Sequence, residues 1–208
     1  MRIELAGASV VLLPERALYL PDHEALLVAD VHVGKVETFQ RHGIALPSEA
    51  GSTELERLGM LLERYRPREL WVLGDLVHGP EALRAEGMAA LAEAHRQVAF
   101  KLVNGNHDRH LSQLPASWGF SSYPEGIRLG AFTLRHEPIA GGGGYTLAGH
   151  LHPTAVLRGS SDRLRLPCFH FGAELGLLPA FTTFSGGPPV DIQSGATYVI
   201  ADGEVLAL

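Results

Sequence analysis

The chain predicts an α/β fold in which two sheets pack face to face with helices outside, a mixed α/β front half lying against a β-rich back half. Three observations predict it. In the front half, short apolar runs alternate with segments whose apolar residues recur every three or four positions. Beyond Pro115 that helical spacing vanishes, and short strand-like runs follow one another between Gly and Pro. With 208 residues, 46% apolar and 19% charged, residues 1–208 read as one globular domain able to bury a core without disulfides or structural zinc.

Residues 10–13 and 16–20 are expected to form a hairpin around Pro14-Glu15, and 25–29 a buried strand. A helix is expected over 48–65, because Leu55, Leu58, Leu61, Leu62 and Tyr65 recur at three- and four-residue steps and Pro67 stops it. Residues 70–73 form the next strand, 80–97 the next helix, with Pro80 suited to a first turn, and 99–103 the strand after that. Three strands joined by two helices make two βαβ crossovers and hence a parallel sheet. In the back half, strands are expected over 126–129, 132–136, 145–148, 154–158, 164–169, 196–201 and 205–208. The four glycines at 141–144 are not followed by Lys-Ser/Thr, which excludes a Walker phosphate loop and leaves a mobile hairpin or lid.

A net charge of −6 excludes a broadly basic surface, so a polyanionic substrate would have to be held by something local, such as bound divalent cations. Of the 17 cationic side chains only Lys35 and Lys101 are Lys, and the remaining Arg suit bidentate phosphate contacts. A single cysteine, Cys168, closes no intramolecular disulfide and fits a reducing, cytoplasmic setting; within its apolar strand it reads as packing. The opening Met1-Arg-Ile-Glu-Leu carries an acid at Glu4 and lacks the basic stretch and long apolar core of a signal peptide, and no run approaches the roughly 18 apolar residues of a membrane helix, so no membrane partner is expected.

Five polar clusters follow five expected strands: Asp30-Val31-His32, Gly74-Asp75-Leu76-Val77-His78, Gly105-Asn106-His107-Asp108, His136-Glu137 and Gly149-His150-Leu151-His152. Ligands gather at the carboxyl edge of a sheet, where loops converge on positions the strands hold rigid. Asp, Asn and His offer oxygen and imidazole nitrogen without thiolate, a set suited to Mn, Fe, Zn or Co rather than Cu(I) or Ca. Seven donors are too many for one tetrahedral ion and match two ions that share one carboxylate and are completed by water. Such a pair polarises a phosphoryl oxygen and activates a water, which points to hydrolysis of a phosphoester. His23, His42, His95 and His170 lie outside these clusters and read as surface or hydrogen-bonded residues.

The ordered motifs D-x-H, G-D-x-x-H, G-N-H-D, H and G-H-x-H resemble the calcineurin-like metallophosphoesterase superfamily over residues 30–152. That resemblance implies a four-layer α-β-β-α sandwich of two mixed sheets. It also implies a division of ligands: Asp30, His32 and His152 on one metal, Asn106, His136 and His150 on the other, and Asp75 bridging. His107 would face the phosphate and help the leaving oxygen depart. Many phosphatases carry a second Asp where this chain has His78; the G-D-x-x-H form is similar to the DNA-repair nuclease branch, in which this His also approaches the phosphate. The segments Ala29-Asp-Val-His-Val-Gly-Lys35, Phe39-x-Arg41-x-Gly43-Ile44, Gly105-Asn-His-Asp-Arg109, His136-Glu-Pro138, Gly149-His-Leu-His-Pro153, Leu166-Pro-Cys-Phe169 and Leu178-Pro-Ala-Phe181 resemble the bacterial ligase-associated DNA-damage-response endonucleases. Phe184-Ser-Gly-Gly187 is a looser match.

The resemblance implies a cytoplasmic binuclear phosphodiesterase, with manganese the first expectation and Fe, Zn or Co the alternatives. It would act in DNA repair as an endo- or exonuclease, with a DNA ligase and a helicase as partners. The net charge of −6 and scattered Arg make single strands, flaps or ends the expected form of DNA, where a flexible backbone can reach recessed metals. A phosphodiesterase or phosphatase for a small nucleotide or other metabolite is the alternative, and a catalytically idle scaffold the reading from a different class. Lys35, Arg41 and Arg109 follow the motifs closely enough to contact a substrate phosphate. Phe169, Phe181 and Phe184 read as core rather than base-stacking platforms.

Overall fold

The computed structural model describes residues 1–41, 52–79, 82–83, 86–108, 114–159 and 162–208. The first sheet orders its strands as they occur in the chain: β1 (Arg2–Leu5), β2 (Ala8–Leu13), β3 (Ala17–Leu20), β4 (Ala25–Val28), β5 (Glu69–Leu73), β6 (Ala99–Val103) and β7 (Phe120–Tyr123). Pairing is antiparallel from β1 to β4 and parallel from β4 to β7. Helices α1 (Lys35–Arg41) and α2 (Ser52–Tyr65) connect β4 to β5, and α3 (Glu86–Ala94) connects β5 to β6.

The second sheet is built from β8 (Ile127–Leu129), β9 (Phe132–Arg135), β10 (Tyr145–Ala148), β11 (Thr154–Arg158), β12 (Arg163–Phe171), β13 (Leu175–Leu177), β14 (Ala196–Ala201) and β15 (Glu204–Ala207). Its order is β15-β14-β12-β13-β10-β9-β8, with β11 paired to β12. β10 runs parallel to both β9 and β13, and the other pairs are antiparallel, so both sheets are mixed.

Alternation along the strands sorts the side chains into layers. Leu26, Val28, Leu70, Val72, Phe100 and Leu102 face outward onto Leu58, Leu61, Leu62 and Met88 of α2 and α3. Their neighbours Leu27, Trp71, Leu73 and Val103 face inward and meet Phe132, Leu134, Leu147, Phe169, Phe171 and Ile200 of the second sheet. On the far side of that sheet, Cys168 packs with Ala155 and Val199, and burial pushes its thiol pKa up to about 12. Cys168 should therefore resist a thiol-specific disulfide reagent in the native protein and react fully in denaturant; fast native labelling would contradict this packing.

The structure revises several sequence expectations. β1 and β7 are edge strands whose residues are exposed or half-buried, so neither carries an apolar run. β7 lies beyond Pro115 yet pairs with β6, which extends the first sheet into the part expected to build the second. β13 is three residues around Gly176, where the ring of Phe171 occupies the side-chain space. The connection holding glycines 141–144 joins β9 to β10, which are parallel neighbours; it is a crossover, not the expected hairpin turn. α3 ends at Ala94, short of the expected 97, with a turn over 95–97. Residues 48–51, and 80–81 and 84–85 at the start of the second expected helix, lie outside the described residues.

Candidate metal centre

The carboxyl ends of β4, β5 and β6 meet those of β9 and β10 at one edge of the molecule. There the chain leaves its strands in an unusual backbone state. Asp30 (φ 54°), His32 (φ 51°), Asp75 (φ 51°), His150 (φ 70°) and His152 (φ 49°) all adopt the left-handed conformation. Asp, Asn and His enter that region more readily than other side chains, but five cases in one site represent strain that the surroundings must hold in place. Backbone bonds supply the hold. Asp30 N–H donates to Gly74 O at 3.2 Å, His32 N–H to Asp75 O at 2.9 Å and Val33 N–H to Leu76 O at 2.9 Å, so the loops after β4 and β5 run together.

Two motif glycines fit the same crowding. At Gly74 (φ +77°) a Cβ would overlap the His136 imidazole, and at Gly105 it would overlap the amide nitrogen and carboxylate of Asp75.

The donors fall into two groups. Asp30, His32 and His152 form one, and Asp75, His136 and His150 the other. In the first, Asp30 Oδ2 accepts the His150 N–H at 2.9 Å, whereas Oδ1 is buried without a hydrogen bond, 3.4 Å from His152 Nε2. A buried carboxylate oxygen facing imidazole nitrogens without a proton between them calls for a cation. Burial, followed by the nearby Lys35 and neighbouring histidines, pulls the His32 pKa down to about 2, which keeps this imidazole in its ligating, neutral form.

In the second group, His136 Nδ1–H donates to Leu73 O at 3.0 Å, leaving an Nε2 lone pair. That lone pair faces Asn106 Oδ1 at 2.8 Å, His150 Nδ1 at 3.0 Å and Asp75 Oδ1 at 3.5 Å. Acceptors converging so closely repel one another unless a cation sits among them. Metal–ligand bonds of about 2.1 Å place adjacent donors roughly 3.0–3.4 Å apart, close to this spacing. The residues therefore fit divalent ions in both groups, with Asn106 adding an oxygen to the second.

Residues 24–196 match the family model described as calcineurin-like phosphoesterase. The chain belongs to that family. The crystal structure of Pseudomonas putida nuclease MPE is 37% identical, with a TM-score of 0.87 over 100% of this chain and 99% of that one. Yfce, a phosphoesterase from E. coli, is 18% identical with a TM-score of 0.47, over 88% of this chain and 96% of that one. A comparison with curated protein sequences returned no match. This calcineurin-like phosphoesterase is a hydrolase of phosphoesters from a family that uses divalent metals.

At the rim of this phosphoesterase centre, His107 has a 40% exposed side chain; its Nε2 lies 3.8 Å from Asp75 Oδ2 while its backbone N–H donates to Asp75 Oδ1 at 3.0 Å. His78 stacks on the His107 ring with centroids 5.7 Å apart and planes 22° from parallel, and both rings meet the edge or face of His32. Burial lowers the His78 pKa, as do Lys35 and His107, against an opposing pull from Asp75. All nine sequence-designated site residues are thus joined in one contact network. Lys35 is half-buried, its ammonium 5.9 Å from the centroid of the Phe39 ring and within electrostatic reach of Asp30 and Asp75. The Arg41 side chain, Arg109 and His42 lie outside the described residues.

Other expectations resolve simply. Phe169 and Phe181 are fully buried core, while Phe184 is half-buried beside the centre. His170 is buried and bonded to Thr197 and Ser194, and His95 is buried at the end of α3. The motifs assign no role to Asp108, Glu54 or Ser185. Asp108 Oδ2 accepts the Gly105 N–H at 3.0 Å and Oδ1 the Val77 N–H at 3.5 Å, clamping two ligand loops together. Its signal is present in the sequence as the last letter of G-N-H-D. Glu54 in α2 carries no motif, Ser185 lies in the loosely matching Phe184-Ser-Gly-Gly187 stretch to which the resemblance gives no role, and only the fold brings them to the site.

Proposed function

We propose that this chain is a binuclear metal-dependent phosphodiesterase acting on DNA as an endo- or exonuclease in repair. The observation that carries the reading is Asp75. Its Oδ1 faces His136 of one donor group and its Oδ2 lies 3.9 Å from His32 Nε2 of the other, so a single carboxylate spans both. Asp30, His32 and His152 would hold one ion, Asn106, His136 and His150 the second, and Asp75 would bridge them. The family resemblance makes Mn the first candidate, and the oxygen and imidazole donors suit Fe, Zn or Co as well. Bound, the ions would polarise a phosphoryl oxygen and acidify a water.

The chain's own groups supply the rest. His107, exposed at the rim above Asp75, would protonate the departing oxygen, and His78, whose ring stacks on it, would approach the phosphate as the second catalytic imidazole. Lys35 lies close enough to contribute positive potential to an incoming phosphate. A nucleic-acid substrate is supported by full-length similarity at 37% identity to a nuclease, and DNA in particular by the motif resemblance. A ligase and a helicase as partners and a cytoplasmic setting belong to the same reading. The net charge of −6 favours the second reading, a small nucleotide or metabolite phosphodiester, because few phosphates of a long duplex could be neutralised.

With Mn supplied, single-stranded, flap and end substrates should be cleaved ahead of intact duplex, with activity falling as salt rises. Efficient turnover of cyclic or linear small diesters, with no cleavage of any DNA form, would establish the second reading instead.

A further inference from the structure

The chain after β13 is held more tightly than its lack of regular structure suggests. Leu178 N–H donates to Ala148 O of the second sheet at 2.8 Å, and Phe181 N–H to Ala29 O of the first at 2.7 Å, so this strap ties the two sheets together at the site. Arg16 donates to Thr182 O at 2.6 Å, and Arg57 donates to Phe181 O while lying over the Phe181 ring. Buried Glu54 then collects three donors on one oxygen: Thr182 Oγ1 at 3.1 Å, Thr183 N–H at 3.1 Å and Thr183 Oγ1 at 3.2 Å. On the far side, Thr154 Oγ1 donates to Gly187 O at 3.1 Å, and a Cβ at Gly187 would overlap the backbone of Leu151 and His152. Ser185 lies between these two anchors, with its hydroxyl in hydrogen-bond contact with His152 Nδ1.

We propose that Ser185 is a positioning residue for the metal centre: its Oγ accepts the Nδ1–H of His152, fixing the tautomer that presents Nε2 beside Asp30. The inference rests on the proposed function only in taking His152 as a ligand. An imidazole ligand needs its second nitrogen committed, because the proton must sit on the side away from the metal and the ring must not turn. His152 needs this more than His136, whose Nδ1 is already held by a backbone carbonyl. The side chain of His152 is 17% exposed and its backbone is left-handed, so ring orientation is not set by close packing alone. The anchors on Glu54 and Thr154 explain how a serine in an irregular loop can orient a ligand, since its position is determined from both sides before any metal arrives.

The experiment is calorimetric Mn binding to the full chain as wild type, Ser185→Ala and Ser185→Thr, with native folding verified by thermal unfolding without metal. Ser185→Ala should weaken one of two binding steps by roughly 10- to 100-fold and leave the other unchanged, the range for losing a group that orients a ligand. Ser185→Thr, which keeps the hydroxyl, should recover most of the loss. Nitrogen-15 shifts of His152 should show a proton fixed on Nδ1 in the wild type and a tautomer mixture in Ser185→Ala, with or without activity. If wild type binds two ions and Ser185→Ala binds both equally well with the same tautomer, Ser185 has no positioning role. If wild type binds no metal, the functional reading itself fails.

Discussion

Asp75→Asn is expected to leave the fold intact, cut bound manganese from about two ions to about one, and lower phosphodiester turnover roughly 10²- to 10⁴-fold, the equivalent of several kcal/mol of lost charge stabilisation. The amide is nearly isosteric, and its oxygen can still accept the His107 N–H that now reaches Asp75 Oδ1 at 3.0 Å, so the loop after β6 keeps its anchor. The missing element is the second anionic oxygen, the one turned toward His32. Without it a neutral amide must sit between two cations, and one ion is lost. Elemental analysis after manganese loading and gel filtration measures the stoichiometry. A wild-type protein that saturates at one ion would remove the basis for a bridge.

His107→Ala is expected to do the opposite with metal: two ions retained, turnover lowered roughly 10²- to 10⁴-fold, the usual consequence of deleting one acid–base group. The geometry separates the two cases. Among the described residues, Asp30, Asp75 and His136 are at most 3% exposed, whereas the His107 side chain is 40% exposed and approaches Asp75 only to 3.8 Å. Exposure alone does not separate them, because His150 is exposed as well; its Nδ1 lies 3.0 Å from His136 Nε2 within a donor group, whereas His107 belongs to neither group and its ring can meet the oxygen of a bound phosphate. Loss of an ion in His107→Ala would transfer the residue to the ligand set.

Much of the site was legible because its chemistry is written in local order. Each cluster follows an apolar run, and an apolar run that becomes a strand places whatever follows it at the sheet edge. Asp30, Asp75 and Asn106 needed only that inference, and His136, His150 and His152 needed it again in the back half. Asp108 stood in a recognised cluster without a role, since its work is to accept two backbone N–H groups from separate loops. Glu54 is a Glu on an amphipathic helix, indistinguishable in the sequence from Glu56 or Glu63 on its solvent side. β1 and β7 escaped for a different reason: the alternation of Ile3 and Leu5 with Arg2 and Glu4 lasts only four residues, and Phe120-Ser-Ser-Tyr123 shows none.

By itself, then, the sequence determined the alternation of strands and helices in the front half, the two-sheet architecture, and the residue types that gather at the strand ends. These follow from side-chain periodicity and from donor chemistry, both of which act over a few neighbouring residues. Tertiary structure alone decided that β1 and β7 extend the first sheet, the strand order of the second, and that β9 and β10 run parallel. It also decided that Asp30, His32, Asp75, His150 and His152 take left-handed backbones, and that Ser185 reaches His152. The physical reason is common to all of them. A strained φ, a lone buried carboxylate oxygen or a serine held between two loops has no local preference to announce it, and persists only because contacts distant in the chain, such as Asp30 to His150 or Glu54 to Thr183, leave it no alternative.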